Sequence, residues 1–332
     1  MPGSTPETPI NCDVDFDSSN VAGKTAVVTG GANGLGEAYV RALHAAKANV
    51  FIGDMNQEDG GKLASELTGT QFIKCDVTKW EDQLRLFQEA EAKAGKIHYV
   101  VANAGIASND DVFSFDGPDS TPTEPRLNII DVNMRGVLYT VKLAMHYFIK
   151  LNGKTPSPSQ VDTCLILIGS GAAFLDVPRG PQYSGTKWGI RGVMHSLRRT
   201  AHFYGSRVNM LSPWYGTLTP SLTPHDPNWS RYVRTKILTE ASFDHVENCG
   251  VQMATTQDAG QALLRLLSDT SINGRSLFIS PRKWAPRGYL DLNVDEYPGN
   301  DLVEEIQADQ LRSAPVDLRL FIEKGSKYTM QR

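Results

Sequence analysis

A tyrosine and a lysine stand four positions apart in "PQYSGTKWGI" (181–190), and on a helix that spacing puts Tyr183 and Lys187 on one face, about 6 Å apart at Cβ. A phenol with an ordinary pKa near 10 is a poor base at neutral pH. A neighbouring ammonium favours the phenolate and lowers that value. The pair can then take a proton from a hydroxyl or return one to a carbonyl oxygen. Taken alone, such a pair is common and usually structural. Its surroundings give it weight. The strand-like run "CLILIGSGAAF" (164–174) delivers Ser170, 183 − 170 = 13 positions before the tyrosine. A hydroxyl there suits a hold on a substrate oxygen, and equally a helix cap or ST-turn. Asn133 sits inside the helical pattern "IIDVNMRGVLYTV" (129–141), where an amide lowers helix propensity. It fits a buried amide with a backbone partner, and it fits a water link from Lys187 to solvent.

Directly after "TAVVT" (25–29) comes "TGGANGLGEA" (29–38), with Gly30, Gly34 and Gly36 at the turn into a helical pattern, and Asn33 and Leu35 between them. Such a turn lets backbone amides and the positive end of the helix face a pyrophosphate, and the missing side chains allow close approach. Many glycine clusters are only turns; one placed between the first strand and first helix of a βαβ series points to a dinucleotide. The second strand ends in Asp54, 54 − 36 = 18 positions beyond Gly36, close to the roughly 20 expected of the acid that binds the adenosine ribose hydroxyls. A carboxylate there accepts two hydroxyl hydrogens and repels a 2′-phosphate; a strand-end turn residue is the plainer alternative. With Met55 next to it and Asn33 in the glycine loop, the reading is NAD over NADP.

These groups need a scaffold that brings them together. Short β-branched runs at 25–29, 49–54, 71–76, 98–103, 163–169, 207–212 and 276–280 alternate with helical patterns, the signature of βαβ units and a parallel sheet. The expectation is an α/β, doubly wound domain over 21–285, with a flexible N-terminal arm (1–20), a C-terminal tail (286–332) and a substrate loop at about 214–250. Loops at 108–125 and 218–230 follow strand C-termini, where ligands bind in such sheets. The chain has 332 residues, 40% hydrophobic and 21% charged, with a net charge of -4. That balance, with dispersed lysines and arginines, offers no footprint for nucleic acid. No apolar run approaches the roughly 18 residues of a membrane span, and the polar, acidic start lacks a signal-peptide pattern; a cytoplasmic protein is expected. Cys12, Cys75, Cys164 and Cys249 show no paired spacing, so neither disulfides nor a metal site are expected.

Taken in order, "TGGANGLG", "CDVT" (75–78), "NAG" (103–105), Asn133 in "VNMRG", Ser170 and "YSGTK" resemble the short-chain dehydrogenase/reductases over roughly residues 22–282. The resemblance implies a Rossmann-type fold with a seven-stranded parallel sheet and helices on both faces. It implies a catalytic tetrad of Asn133, Ser170, Tyr183 and Lys187, with Lys187 also on the nicotinamide ribose. It places Asp76 and Val77 at the adenine, and Asn103, Ala104 and Gly105 along the cofactor cleft. It implies a homodimer or homotetramer, commonly through helices containing residues 126–150 and 182–204. After the sixth strand the family usually has Pro-Gly and then a threonine that steadies the nicotinamide amide; here "SPWYGTLTP" (212–220) keeps Pro213 but has Trp214 for glycine. Gly216 follows, and either Thr217 or Thr219 fits the amide role. The "PW" variant, Asp54 and the ending "INGRSLFISPRKW" are similar to the hydroxyprostaglandin dehydrogenase-like branch found among fungal secondary-metabolism enzymes.

The resulting expectation is an NAD-dependent dehydrogenase acting on a secondary alcohol or its ketone. Phe174, Trp214 and Tyr215 are candidate substrate walls, suiting a bulky apolar or aromatic ring system, although aromatics also serve to pack a loop. An NADPH-dependent ketoreductase on the same scaffold, a cofactor-sensing protein without turnover, and a scaffold role for the tail are the alternatives.

Overall fold

The computed structural model describes residues 8–107, 110–178, 180–214, 216–217, 244–246, 248–297 and 299–313. Its strands are β1 (Thr25–Thr29), β2 (Asn49–Asp54), β3 (Gln71–Lys74), β4 (Tyr99–Ala102), β5 (Thr163–Ile168), β6 (Ser206–Pro213), β7 (Gly216–Thr217), β8 (Ala254–Thr255), β9 (Ser276–Ile279) and β10 (Tyr289–Asp291). Eight of them form one sheet in the order β10-β9-β6-β5-β4-β1-β2-β3, while β7 and β8 pair separately. From β3 to β9 every pairing is parallel. Successive side chains of these strands enter opposite faces. Ala26 and Val28 of β1 join one apolar core and Val27 joins the other, which is why the strands read as continuous apolar runs.

The helices are α1 (Gly34–Ala45), α2 (Gln57–Glu66), α3 (Trp80–Ala94), the short α4 (Asn128–Ile130), α5 (Val137–Asn152), α6 (Pro181–Leu197), α7 (Thr256–Ser268) and α8 (Asp301–Ser313). Tyr39, Val40 and Leu43 give α1 a buried stripe that packs with α7 residues in the first core, and α3, α5 and α6 cover the second. Between α4 and α5 the chain forms a π-helical turn, Asp131–Gly136, so the helical pattern read at 129–141 falls into three pieces. No helix among the described residues is long and apolar enough to cross a membrane.

The seven parallel strands expected are present; an eighth, β10, pairs antiparallel with β9 through Tyr289↔Ile279, Leu290↔Phe278 and Asp291↔Leu277. The polar composition beyond residue 285 concealed it, because its polar residues are paired inward. The fully buried Arg275 guanidinium donates to Asp291 at 2.8 Å and to Asn293 at 2.9 Å. Asp295, also fully buried, accepts from Arg191 and His195 of α6 and from Ser276 of β9. On the N-terminal side, Ile10 N donates to Asp291 Oδ2 at 3.0 Å, Cys12 is buried, and Arg287 pairs with Asp15 at 2.7 Å. Packed structure therefore extends past both composition boundaries, at 20 and at 285.

Candidate active site

The strand order reverses between β1 and β4, and in a sheet of this kind a crevice opens there, at the strands' C-terminal ends. The glycine turn leaves β1 at this point. Gly30 and Gly34 adopt φ of +64° and +59°, a left-handed conformation that other residues adopt only at a cost. A Cβ on Gly36 would lie 2.0 Å from Gly30 O and 2.7 Å from Asn103 Nδ2, so the first turn of α1, with Leu35 in it, can approach only as glycine. Asn103 closes the seam, donating from Nδ2 to Thr29 O at 3.0 Å and to Gly30 O at 2.7 Å. Asn33 is the N-cap residue of α1.

Asp54 ends β2, and its carboxylate is held on both oxygens by backbone amides, from Ala32 at 3.0 Å and Asn56 at 2.9 Å. The glycine loop and the acid are thereby fixed to each other. After β3, Asp76 accepts from Thr78 N and Thr78 Oγ1, and Val77 is buried.

Of the four side chains named from the sequence, Asn133, Tyr183 and Lys187 come together beyond β4 and β5, and Ser170 follows the end of β5. Asn133 is fully buried in the π-helical turn and clasps the backbone of Ile106, accepting from its N and donating to its O, both at 2.8 Å. Lys187 is buried and donates from Nζ to Ile168 O at 2.9 Å, with Nζ 5.6 Å from the centre of the Tyr183 ring. Burial disfavours its charge and pulls its pKa down to about 8. Gly105 lies over both groups: a Cβ there would sit 3.3 Å from Asn133 Oδ1 and 3.8 Å from Lys187 Nζ. Ser170, two residues beyond the Ile168 carbonyl that holds Lys187, accepts from Ala172 N at 3.2 Å. The cap and the substrate hold are thus compatible in one hydroxyl, since its own proton is free to point elsewhere.

Trp214 follows Pro213 at the end of β6 and stands over Gly171, where a Cβ would meet its ring at 3.0 Å. Its ring lies edge-on to Phe278 at 5.9 Å and to Trp284 at 6.2 Å, and Phe174 meets Phe278 at 5.7 Å. The indole in place of glycine is therefore part of an aromatic wall beside Ser170. A separate cavity of about 540 Å³ is lined by residues including Met253, Thr255, Arg282 and Lys283, the last next to Trp284 in the chain. Gly216 and Thr217 form β7, pairing with Ala254 and Thr255. Tyr215, Thr219 and most of the loop expected at 214–250 lie outside the described residues.

Several supporting residues escaped the sequence reading. Phe278 and Trp284 belong to the aromatic wall but lie far from its other members in sequence. Gln83 is fully buried, donating to Val77 O at 2.7 Å and Gly136 O at 2.8 Å and accepting from Thr140 at 2.7 Å. It stands on the same α3 stripe as Leu86, Phe87 and Ala90, and a glutamine on an apolar stripe was the available signal.

The family described as short chain dehydrogenase matches residues 24–228. A 5′-hydroxyaverantin dehydrogenase from Dothistroma septosporum is 31% identical over 304 residues, spanning 87% of this chain and 92% of that protein. The NADP-dependent dehydrogenase clz5 from Cochliobolus lunatus is 34% identical over 215 residues, 62% of this chain and 75% of its own. Among solved structures, a 3-ketoacyl-(acyl-carrier-protein) reductase from Brucella melitensis complexed with NADH superposes with a TM-score of 0.62 at 22% identity, covering 78% of this chain and 97% of its own. At that identity the superposition bears on the fold.

Proposed function

Since the chain belongs to the short-chain dehydrogenase family, we propose that it is an NAD-dependent dehydrogenase of a secondary alcohol, or reductase of the matching ketone, on a bulky apolar or aromatic skeleton. The observation that carries the reading is the buried Lys187 ammonium, held by Ile168 O against the ring face of Tyr183.

The residues at the crevice fit a dinucleotide. Backbone at Gly30, Gly34 and Gly36 takes the pyrophosphate, Asp54 the adenosine ribose, Asp76 and Val77 the adenine, and Asn103, Ala104 and Gly105 line the cleft between. Pro213, Gly216 and Thr217 or Thr219 lie toward the nicotinamide. When bound, the nicotinamide supplies the hydride acceptor or donor. The chain does the rest. Ser170 donates to the substrate oxygen and orients it. Tyr183 takes the hydroxyl proton, or returns it to a carbonyl. Lys187 holds the phenolate's charge and reaches the ribose. Asn133, anchored on Ile106, keeps the cleft backbone in place and serves a water path from Lys187. Phe174, Trp214 and Tyr215, with Phe278 and Trp284, favour flat ring systems.

The test is NADH formation, read at 340 nm, with 1-(2-naphthyl)ethanol against 2-propanol. The aromatic alcohol is expected to turn over with kcat/KM at least tenfold higher, and Tyr183→Phe to lower the rate by about 10²–10⁴. Preference for the small alcohol would overturn the substrate class. The relative named as NADP-dependent supports a second reading, an NADPH-dependent ketoreductase. Calorimetric titration with NAD, NADH, NADP and NADPH separates the two. Selective NAD and NADH binding is expected, and Asp54→Ala should narrow the gap to NADP about tenfold or more by removing the repulsion of a 2′-phosphate. Tight binding of the phosphorylated pair by the native chain would reverse the assignment.

The exposure of Leu138 on α5 and Trp188 on α6, by 43% and 49%, supports self-association as a dimer or tetramer through these helices. Light scattering at micromolar concentration, with Leu138→Glu expected to give monomer, checks it.

A further inference from the structure

The helix that carries Tyr183 and Lys187 begins without means to cap itself. Gly180, at its N-cap, has no side chain, and Pro181, at its first position, has no N–H. The first amide that needs a partner is that of Gln182, a buried residue immediately before Tyr183. Its partner comes from 72 positions away: Asp110 Oδ2 accepts from Gln182 N at 2.6 Å, and Asp110 Oδ1 accepts from Gln182 Nε2 at 2.9 Å. The same Nε2 also donates to Arg126 O at 3.1 Å, and the Arg126 guanidinium pairs with Asp111 at 2.5 and 3.0 Å. Upstream, this loop starts from Ile106, whose backbone is clasped by Asn133. One loop is thus anchored at one end on Asn133 and at the other on the residue preceding Tyr183.

We propose that Asp110 is a positioning residue, a carboxylate supplied by the loop after β4 that caps the catalytic helix across space and sets both the place and the electrostatic surroundings of the Tyr183 phenol. The inference rests on the dehydrogenase reading for the phenol's task, but its geometry does not. Two effects follow from the contacts. A cap fixes the first turn of α6, and with it the direction in which Tyr183 leaves the helix. A negative charge at a helix N-terminus offsets the positive end of the helix dipole that otherwise favours the phenolate. Among the described residues, the charged groups joined to this corner by the contacts above are Lys187 on α6, which favours the phenolate, and the Asp111–Arg126 pair, whose charges cancel. Neutralising Asp110 therefore moves the phenol's ionisation to lower pH.

The experiment uses the full chain as Asp110→Asn and Asp110→Ala, with Tyr183→Phe in each background. Tyrosinate absorbance at 295 nm is followed with pH in the absence of coenzyme and substrate, and the Tyr183→Phe difference isolates this phenol. Amide exchange is followed over residues 180–187. Both Asp110 variants are expected to shift the Tyr183 titration to lower pH. Exchange in the first turn should rise about tenfold or more in Asp110→Ala, and less in Asp110→Asn, which keeps an acceptor. With 1-(2-naphthyl)ethanol and NAD, kcat should fall about tenfold in Asp110→Ala while the KM for NAD stays within twofold. An unshifted titration in both variants, or in Asp110→Asn alone if Asp110→Ala does not fold, would reduce Asp110 to a surface staple and overturn the proposal. Failure of the native chain to oxidise any alcohol would strike the dehydrogenase reading and leave the titration and exchange results standing.

Discussion

Lys187 bears the conflict between stability and chemistry most directly. Burial lowers its pKa from 10.5 to about 8, so below pH 8 the native state holds a charge that the unfolded chain would carry in water. The difference of about 2.5 units corresponds to about 3 kcal/mol of destabilisation. The sign follows from proton counting. Below pH 8 both states bind the proton and the penalty is complete; between pH 8 and 10.5 only the unfolded chain keeps it, so native stability rises with pH. Lys187→Met removes the penalty and leaves Ile168 O without its donor, a loss of about 1 kcal/mol. Urea unfolding at pH 7 should show a net gain of about 2 kcal/mol, shrinking toward pH 10, while turnover falls by about 10²–10⁴. A variant less stable than native at pH 7 would mean that fixed dipoles around the ammonium already offset its burial. The four candidate catalytic side chains could be named from the sequence because each sits in a short motif, as Tyr183 and Lys187 do four positions apart. Asp110 was not, since its contact with Gln182 spans 72 positions and nothing near Gln182 announces a missing cap except Gly180 and Pro181.

At the scale of elements, the seven parallel strands of the main sheet were legible to within one or two residues, because β-branched apolar runs between helical patterns leave little choice of period, whereas β7, β8 and β10 were not. The π-helical turn Asp131–Gly136 was not legible. A wider turn gives up regular helix bonding, and what compensates lies elsewhere in the chain. Gln83 is part of that compensation, joining Gly136 O and Thr140 on the α5 side to Val77 O beyond β3. It ties the proposed adenine end of the cleft to the turn that holds Asn133. Gln83→Leu keeps the bulk of the side chain but leaves Val77 O and Thr140 without this partner, and should lower stability by about 2–4 kcal/mol. Because both ends of the tie are at the crevice, NAD affinity should weaken as well, measured by calorimetry. An unchanged affinity with reduced stability would limit Gln83 to packing.

At the scale of the whole molecule, the C-terminal segment is structural well beyond the boundary its composition suggested. Low hydrophobicity usually marks a dispensable end; here acidic side chains meet arginines buried beneath them, so the pattern that signals solvent exposure in sequence signals pairing in the fold. Burial alone would push the Asp295 carboxyl up, but hydrogen bonds from His195 and Ser276 and the charges of His195 and Arg191 hold it below its ordinary value. Its contribution is complete above the unfolded carboxyl pKa near 4 and is lost as pH falls through the lower native value. Asp295→Ala strands those donors and should lower stability at pH 7 by about 3–5 kcal/mol, seen in urea unfolding. Removing everything after residue 285 therefore deletes β10 and this anchor together, and a soluble, folded product would contradict the account. The antiparallel β10 has one more consequence. The main-chain edge of β9 is already paired within the subunit, so the border on this side is the three-residue β10. The opposite border, β3, is four residues long and ends in the exposed Lys74, a poor template for strand addition. Both borders of the sheet are thus strands of three or four residues, short templates for a second copy to extend.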